Sequence, residues 1–359
     1  MQLFECQGCK SALHFENSQC LTCGRLVGFL QDRFVMSALD GGPASFQALA
    51  AKKQAYRYCD NWQHGVCNWL IPDDASERLC EACRHNRMIP DLTVPENVAR
   101  WRSIELAKRY LFRSLLRWRL PHPNKVDDPE NGLEFDFLSE AAAGAGPILT
   151  GHDNGLITLN VVEGDDVERE KRRAALGEPY RTLVGHFRHE IGHYYWDRLV
   201  RDGGATEACR AVFGDERSNY GEALQRHYQN GPPGDWSNRF ISSYASCHPW
   251  EDFAETWAHY LHIVDALETA RSYGIDVRAR FMPDASGAKI DFNPYTAPSA
   301  ERLIDAWIPL TVALNGVNRT MGHGDLYPFV LNEPVMRKLE FVHDLIGDAR
   351  AAKATPAAA

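Results

Sequence analysis

The feature that most constrains this chain is the segment from Leu183 to Val200, which contains the pattern His189-Glu190-x-x-His193. Side chains four residues apart project from one face of a helix, so the two imidazoles can offer nitrogens to one metal ion. Apolar residues recur at helical spacing through the segment, at Leu183, Val184, Phe187, Ile191 and Leu199. The segment therefore predicts a helix that presents two metal ligands, although an isolated match also occurs on ordinary solvated helices.

Zinc is the ion that such a pair of histidines favours. Two imidazoles and a third protein ligand leave one position open for water, and water held there ionises near neutral pH. Glu190 follows the first histidine and can reach that water, so we expect it to act as the general base.

A second segment, Tyr244 to His262, supplies candidates for the third ligand. Glu251 and Glu255 are four apart on a predicted helix, so one carboxylate could bind the metal while the other orients a histidine. The same segment also contains other ionisable side chains, for which we expect peripheral roles: Cys247, His248, His259 and His262.

The two segments together resemble the gluzincin class of zinc metallopeptidases, in which a later helix donates a glutamate to the metal. The run EDFAE, with a tyrosine seven residues before its first glutamate, resembles the glutamate helix of peptidases of the anthrax lethal-factor type. This resemblance implies that Glu251 binds zinc, that Glu255 contacts a ligand and that Tyr244 stabilises the oxyanion.

The whole chain also resembles a bacterial family of zinc-binding metallopeptidases with an N-terminal zinc ribbon. The cysteine pattern and the stretches LCEACRHNRMIPDL, GHFRHEIGHYYWD and HPWEDFAETWAHYLHI carry this resemblance. It covers nearly the full length and implies a protein or peptide substrate without specifying which one.

The N-terminus has its own metal-binding pattern. Two CxxC pairs separated by ten residues have the ligand spacing of a zinc ribbon, and they lie at Cys6, Cys9, Cys20 and Cys23. A chain of about 25 residues cannot bury enough core to fold without such a site. We therefore predict a zinc ribbon over residues 1–36, which packs on its neighbour or binds a partner.

A second, less regular set of cysteines follows at Cys59, Cys67, Cys80 and Cys83. It predicts another structural zinc module over residues 56–92, with His64 able to replace Cys59 or Cys67 as a ligand. Residues 37–55 are small and rich in Gly and Pro, and indicate a connector between the two modules.

Composition and the positions of the cysteines indicate in which cellular compartment the protein is expected. Hydrophobic residues make up 44% and charged residues 24%, and no run of about eighteen apolar residues predicts a membrane span. The N-terminus lacks the pattern of a secretion signal, and eight of the ten cysteines lie within the first 83 residues. Clustered CxxC pairs favour metal binding in a reducing compartment, so we expect a cytoplasmic protein without a membrane partner.

The net charge of −9 disfavours a polyanionic substrate at the catalytic region. The exception is a predicted helix that ends before Pro121, whose residues 100–119 are rich in arginine. This helix or the zinc modules could bind nucleic acid, but docking of the basic face on an acidic domain is the simpler interpretation.

Between these regions the sequence predicts a small sheet and further helices. Leu133–Leu138, Pro147–Thr150 and Leu156–Val162 have strand patterns, with a tight turn at Asp153-Asn154-Gly155. ITLNVVE precedes the HExxH helix and is therefore either an edge strand for an extended substrate or an ordinary core strand. Helices are predicted around residues 205–213, 220–227, 298–314 and 334–346, and a loop could bring His323 or Tyr327 over the zinc.

We therefore expect an α+β protein in which N-terminal zinc modules precede a mainly helical, gluzincin-like domain over residues 93–349 and a disordered tail over 350–359. The expected activity is zinc-dependent peptide hydrolysis, with one catalytic and two structural zinc ions. One alternative is a SprT-like protease acting on DNA-associated proteins, in which the third ligand is a histidine and the ribbon follows the catalytic domain. Another is a non-enzymatic zinc-binding adaptor, to which an intact Glu190 would be of no use.

The first testable prediction is the metal content. Two sets of four cysteines and one His189/His193/Glu251 site imply three zinc ions per chain. Elemental analysis of protein purified without added metal should approach this value, and a chain truncated before about Val94 should retain a single ion. A truncated chain with two or more zinc ions would contradict the assignment.

Overall fold

The computed structural model describes residues 2–42, 45–139, 148, 150–176, 180–278 and 289–354. The chain divides into two compact units. Unit 1 comprises Met1–Arg113 and His122–Arg172, and unit 2 comprises Ser114–Pro121 and Arg173–Ala359. The chain passes from one unit to the other after Arg113, Pro121 and Arg172.

Unit 1 begins with a short antiparallel pair, β1 (Phe4–Glu5) and β2 (Ala12–Leu13). A closed five-stranded barrel follows, formed by β3 (Val27–Leu30), β4 (Val35–Gly42), β5 (Ser45–Ala48), β6 (Ala55–Tyr58) and β7 (Trp69–Pro72). Its interior is apolar and includes Leu30, Leu39, Phe46, Tyr56 and Leu70. Closure of the barrel leaves no unpaired strand edge among these five strands.

The barrel corrects the prediction that residues 37–55 form a connector. Residues 37–55 contribute most of β4 and all of β5, and the barrel extends from the first cysteine-rich segment into the second. Both cysteine-rich segments therefore contribute strands to one barrel. The small side chains and glycines concealed a period-two pattern in which Phe46 and Ala48 are buried and their neighbours are exposed.

Unit 1 also contains a four-stranded sheet in the order β10-β11-β9-β8. Its strands are β8 (Asn86–Met88), β9 (Glu134–Leu138), β10 (Gly151–Asp153) and β11 (Leu156–Asn160). The predicted tight turn joins β10 to β11, where Asn154 and Gly155 both have positive φ, at 46° and 83°. Such angles suit a two-residue hairpin loop, which explains the Asn-Gly pair.

The proposed substrate strand is not at an edge of this sheet. β11 pairs antiparallel with β10 on one side and parallel with β9 on the other, so its backbone groups are already bonded. It also belongs to unit 1, whereas the HExxH segment belongs to unit 2. The edge-strand interpretation of ITLNVVE is therefore wrong, and the core-strand alternative is correct.

The basic helix predicted before Pro121 is α1 (Pro95–Trp118). Three of its basic side chains, Lys108, Arg109 and Arg113, are buried. Lys108 forms an ion pair with Glu105 at 2.9 Å, with both side chains fully buried. Lys108 and Arg109 therefore bond to buried partners, whereas Arg102 of the same helix is exposed.

A further helix, α2 (Asp166–Leu176), begins in unit 1 and includes the boundary between Arg172 and Arg173. Unit 2 is helical and contains α3 (Leu183–Tyr195), α4 (Thr206–Phe213), α5 (Tyr220–Asn230), α6 (Pro249–Ser272), α7 (Ala300–Thr320) and α8 (Glu333–Ala354). α6 packs against α3, α7 and α8 and is the central element.

The ends of several elements differ from the prediction. α8 continues to Ala354, past the residue 350 at which disorder was predicted, while residues 355–359 lie outside the described residues. The predicted strand Pro147–Thr150 also lies partly outside them. No helix in the described part of the chain is long and apolar enough to cross a membrane.

The unit boundaries also change how the metal content should be measured. A chain that starts at Val94 would lose the barrel and β8, which pairs with β9 inside unit 1. Single cysteine substitutions in the whole chain are therefore the better way to remove one metal ion at a time.

Candidate metal centres

The HExxH segment begins at a defined cap. Thr182 accepts a hydrogen bond from the Gly185 backbone through its side chain, which starts α3 as an N-cap residue. The second segment starts with a 3-10 turn at Tyr244–Cys247, and α6 follows with His248 as its N-cap and Pro249 in its first turn. The two predicted metal helices are therefore α3 and α6, and Tyr244 lies on the turn before α6.

The two helices approach each other closely at Gly192. A Cβ atom at this position would lie 2.9 Å from Ala254 Cα and 3.2 Å from Ala254 O. A side chain larger than hydrogen cannot be accommodated without a shift of the α6 backbone. Gly192 lies directly before His193, so the close approach occurs where the ligand side chains must meet.

Three side-chain atoms converge beside this contact. His189 Nε2 lies 2.9 Å from Glu251 Oε2 and 3.2 Å from His193 Nε2, and His193 Nε2 lies 3.5 Å from Glu251 Oε2. Neighbouring ligands of a tetrahedral zinc ion, each about 2.0–2.1 Å from the metal, are about 3.3–3.4 Å apart. The three atoms therefore have the spacing of one face of a zinc coordination tetrahedron.

The hydrogen bonding of Glu251 also fits a metal ion. Its carboxylate is 1% exposed, and Oε2 has no hydrogen-bond partner among the described residues. A buried carboxylate oxygen without a partner is costly, and the two nearby Nε2 atoms do not meet hydrogen-bond geometry with it. A cation among the three atoms would satisfy all of them.

Glu255 lies behind His189 rather than among these three atoms. Its Oε1 lies 2.7 Å from His189 Nδ1, and its Oε2 accepts a 2.6 Å hydrogen bond from Ser242 Oγ. The bond to Nδ1 places the imidazole proton there and leaves the Nε2 lone pair directed at the site. No spacing rule relates Ser242 to Glu255, so the sequence analysis could not identify this contact.

The charges of the site are mutually dependent. Burial disfavours the imidazolium of His189, but Glu251 and Glu255 outweigh burial and raise its pKa well above the usual value. Burial likewise opposes ionisation of Glu255, but the neighbouring His189 lowers its pKa to about 2. The buried carboxylates are thus ionised and complement either protonated histidine or a cation.

Glu190 occupies a different environment from the two carboxylates of α6. It is 8% exposed and makes no hydrogen bond with the described residues. Burial raises its pKa above the usual value. An uncommitted carboxylate with a raised pKa is suited to taking up and releasing a proton.

Tyr244 lies next to His189, with ring centroids 5.9 Å apart. Its side chain is half-buried, and burial raises the pKa of its phenol above the usual value. The hydroxyl makes no hydrogen bond with the described residues, so a protonated donor is available near the candidate ligands.

The other histidines of the second segment are engaged elsewhere. His248 caps α6 and contacts Ser218 O at 3.0 Å, His259 contacts the Tyr327 hydroxyl at 2.8 Å, and His262 contacts Arg188 at 2.5 Å. Tyr327 therefore bonds to His259, and His323 is an exposed residue. The predicted approach of either residue to the metal is not observed.

The sequence analysis did not identify Arg188 and Tyr220. Arg188 precedes His189 and forms a buried ion pair with Asp265 of α6, which also accepts hydrogen bonds from Ser114 and Tyr295. Tyr220, at the start of α5, donates a 2.7 Å hydrogen bond to Glu251 Oε1. Neither lies in a motif that involves its partner, so no spacing rule could have found these contacts.

Both cysteine sets of unit 1 converge as the sequence predicts. Cys6 and Cys23 have Sγ atoms 3.8 Å apart, and those of Cys9 and Cys20 are 3.6 Å apart. Thiolates about 2.3 Å from a tetrahedral zinc ion are about 3.8 Å apart. All four ligand atoms of this set lie within 4.8 Å of one another.

The second set is fully buried and consists of Cys59, Cys67, Cys80 and Cys83. Cys67 and Cys80 have Sγ atoms 3.7 Å apart, and the Cys80 backbone donates to Cys59 Sγ at 3.3 Å. The four thiols complete a tetrahedral donor set, and His64 instead packs near Trp101. The alternative with His64 as a ligand is therefore not needed.

Comparisons with known proteins agree with both kinds of site. A family model described as "Putative zinc-binding metallo-peptidase" matches residues 97–345, and a zinc-ribbon domain model matches residues 3–94. The zinc-ribbon match covers the first cysteine set, the barrel and the second cysteine set. Zinc binding is thus supported by the matched families as well as by the geometry.

Curated relatives match nearly the whole chain. Uncharacterized proteins of Mycobacterium bovis and of two Mycobacterium tuberculosis strains, CDC 1551 and H37Rv, are 42% identical over 350 residues. The alignment covers 97% of this chain and 96% of each relative. No solved structure matches the chain at a significant level.

The helix contact generates a prediction about Gly192. Gly192→Ala should lower the free energy of unfolding by about 1–3 kcal/mol, because the new methyl group meets the α6 backbone. It should also weaken metal binding, which thermal unfolding with and without zinc would measure.

A matched control is available in α7. A Cβ atom at Gly316 would meet no atom within 4 Å, so Gly316→Ala should stabilise the helix by up to about 1 kcal/mol. Equal effects of the two substitutions would show that the approach of α3 to α6 does not require glycine.

Proposed function

Since the chain belongs to the zinc-binding metallo-peptidase family whose model it matches, we propose that it is a zinc-dependent peptidase of the gluzincin type. One observation carries the proposal. His189 Nε2, His193 Nε2 and Glu251 Oε2 converge within 3.5 Å, and Glu190 lies beside them without a hydrogen-bond partner among the described residues. A purely structural site has no use for such a carboxylate.

Each residue of the site has a role in hydrolysis. A zinc ion held by the three converging atoms would supply Lewis-acid activation of water and of the scissile carbonyl. Glu190 takes a proton from the attacking water and delivers it to the leaving amine nitrogen, so that one water and one peptide bond give a carboxylate and an amine. Tyr244 donates its hydroxyl proton in a hydrogen bond to the developing oxyanion.

Glu251 rather than a histidine is the proposed third ligand. A SprT-like protease would need a third histidine, but His248, His259 and His262 are each engaged with other partners. The geometry therefore favours the gluzincin arrangement, and the resemblance to the lethal-factor-type glutamate helix is consistent with it. The substrate would be a protein or peptide, and the cysteine clusters would hold two structural zinc ions.

The role of Glu190 is tested by Glu190→Gln. This substitution keeps the shape of the side chain but removes the base, so hydrolysis of an unstructured protein should fall by roughly 10²- to 10⁴-fold. Zinc content by elemental analysis should stay unchanged. Undiminished hydrolysis by the variant would exclude Glu190 as the base.

The roles of the two carboxylates on α6 can be separated. Glu251→Ala should remove the metal from the site, whereas Glu255→Ala should weaken metal affinity by about 10- to 100-fold, because it only orients His189. Chelator competition in the whole chain measures both. The opposite ranking would assign the ligand to Glu255.

Tyr244→Phe tests the oxyanion contact. Loss of one oxyanion donor should lower kcat by roughly 10²- to 10³-fold, or about 2.7–4 kcal/mol, with no change in zinc content. If Tyr244 only packs beside His189, the variant should instead show near-normal kcat and a small change in thermal stability. Kinetics and unfolding of one preparation distinguish these cases.

A further inference from the structure

The two carboxylate oxygens of Glu251 have different contacts. Oε1 accepts a 2.7 Å hydrogen bond from the Tyr220 hydroxyl. Oε2 has no hydrogen-bond partner among the described residues and faces the Nε2 atoms of His189 and His193 at 2.9 and 3.5 Å. The Tyr220 hydroxyl is thus hydrogen-bonded to the carboxylate oxygen that does not face the candidate metal position.

The ring of Tyr220 packs against the N-terminal end of α6, where Glu251 lies in the first turn. It packs edge-on against His248, at 5.3 Å between centroids, and against Trp250, at 5.6 Å. His248 accepts a hydrogen bond from the Trp250 backbone and contacts Ser218 O at 3.0 Å. Contacts with two neighbours of Glu251 therefore fix the direction from which the hydroxyl reaches the carboxylate.

We propose that Tyr220 is a positioning residue that keeps Glu251 bound to the metal through Oε2 alone. This inference rests on the proposed function, in which Glu251 is the third ligand. A carboxylate can bind a metal through one or both oxygens, and a catalytic zinc site must keep one position open for water. By engaging Oε1, Tyr220 prevents the second oxygen from filling that position.

Another role for Tyr220 would be purely structural. Only Ala223 of α5 is fully buried, so the packing of the Tyr220 ring could simply hold this helix in place. Tyr220→Phe separates the two roles, because it keeps the ring contacts and removes only the hydroxyl. Tyr228→Phe, on the same helix at a side chain that is 64% exposed, is the matched control.

The experiment uses the full chain with zinc left in the cysteine clusters and cobalt(II) placed in the His189/His193/Glu251 site. Four-coordinate cobalt absorbs visible light more strongly than cobalt of higher coordination number. In Tyr220→Phe, we expect weaker visible absorption and a metal affinity about 10- to 100-fold lower by chelator competition. Tyr228→Phe should match the unsubstituted protein in both measurements.

The outcomes separate this inference from the proposal on which it rests. If Tyr220→Phe matches Tyr228→Phe in both measurements while Glu251→Ala loses the metal, Tyr220 has no positioning role and the proposed function stands. Lower affinity with an unchanged spectrum also overturns the inference, because loosening of α5 would then explain the loss. If Glu251→Ala retains the metal, Glu251 is not a ligand and both proposals fail.

Discussion

The candidate metal centre depends on the close approach of α3 and α6. Gly192 allows the backbone of α6 at Ala254 to come within the distance that a side chain would fill. His189 and His193 lie on one helix and Glu251 on the other, so their ligand atoms meet only if the helices are this close. The chemistry proposed for the site therefore requires that residue 192 has no side chain.

Buried polar contacts then hold the two helices in register. Arg188 of α3 pairs with Asp265 of α6, and Lys338 of α8 pairs with Asp252 of α6 at 2.7 Å. Breaking one partner of such a buried pair is strongly destabilising, since the other charge would remain without compensation. These pairs fix how α3, α6 and α8 pack, although they contribute no atom to the metal position.

The candidate metal sites of unit 1 have a different set of donor atoms. Its first cysteine cluster precedes a small closed barrel in the sequence, and the second has two cysteines between the last two barrel strands and two after them. Each cluster has the spacing of a tetrahedral thiolate site. Four thiolates leave no position open, so such sites stabilise a fold rather than activate water. The chain thus combines candidate sites with four sulfur donors in one unit and a candidate site with nitrogen and oxygen donors in the other.

The sequence by itself determined the elements whose signal is local. HExxH, the CxxC pairs, the helix periodicities and the Asn154-Gly155 turn each depend on residues within one helical turn or one hairpin, and the structure contains all of them. What only the tertiary structure decided depends on contacts between distant segments. The strands β4 and β5 belong to a barrel, and β11 lies inside its sheet. Tyr220 contacts Glu251 and Ser242 contacts Glu255, because packing and strand pairing bring together residues that no spacing rule relates.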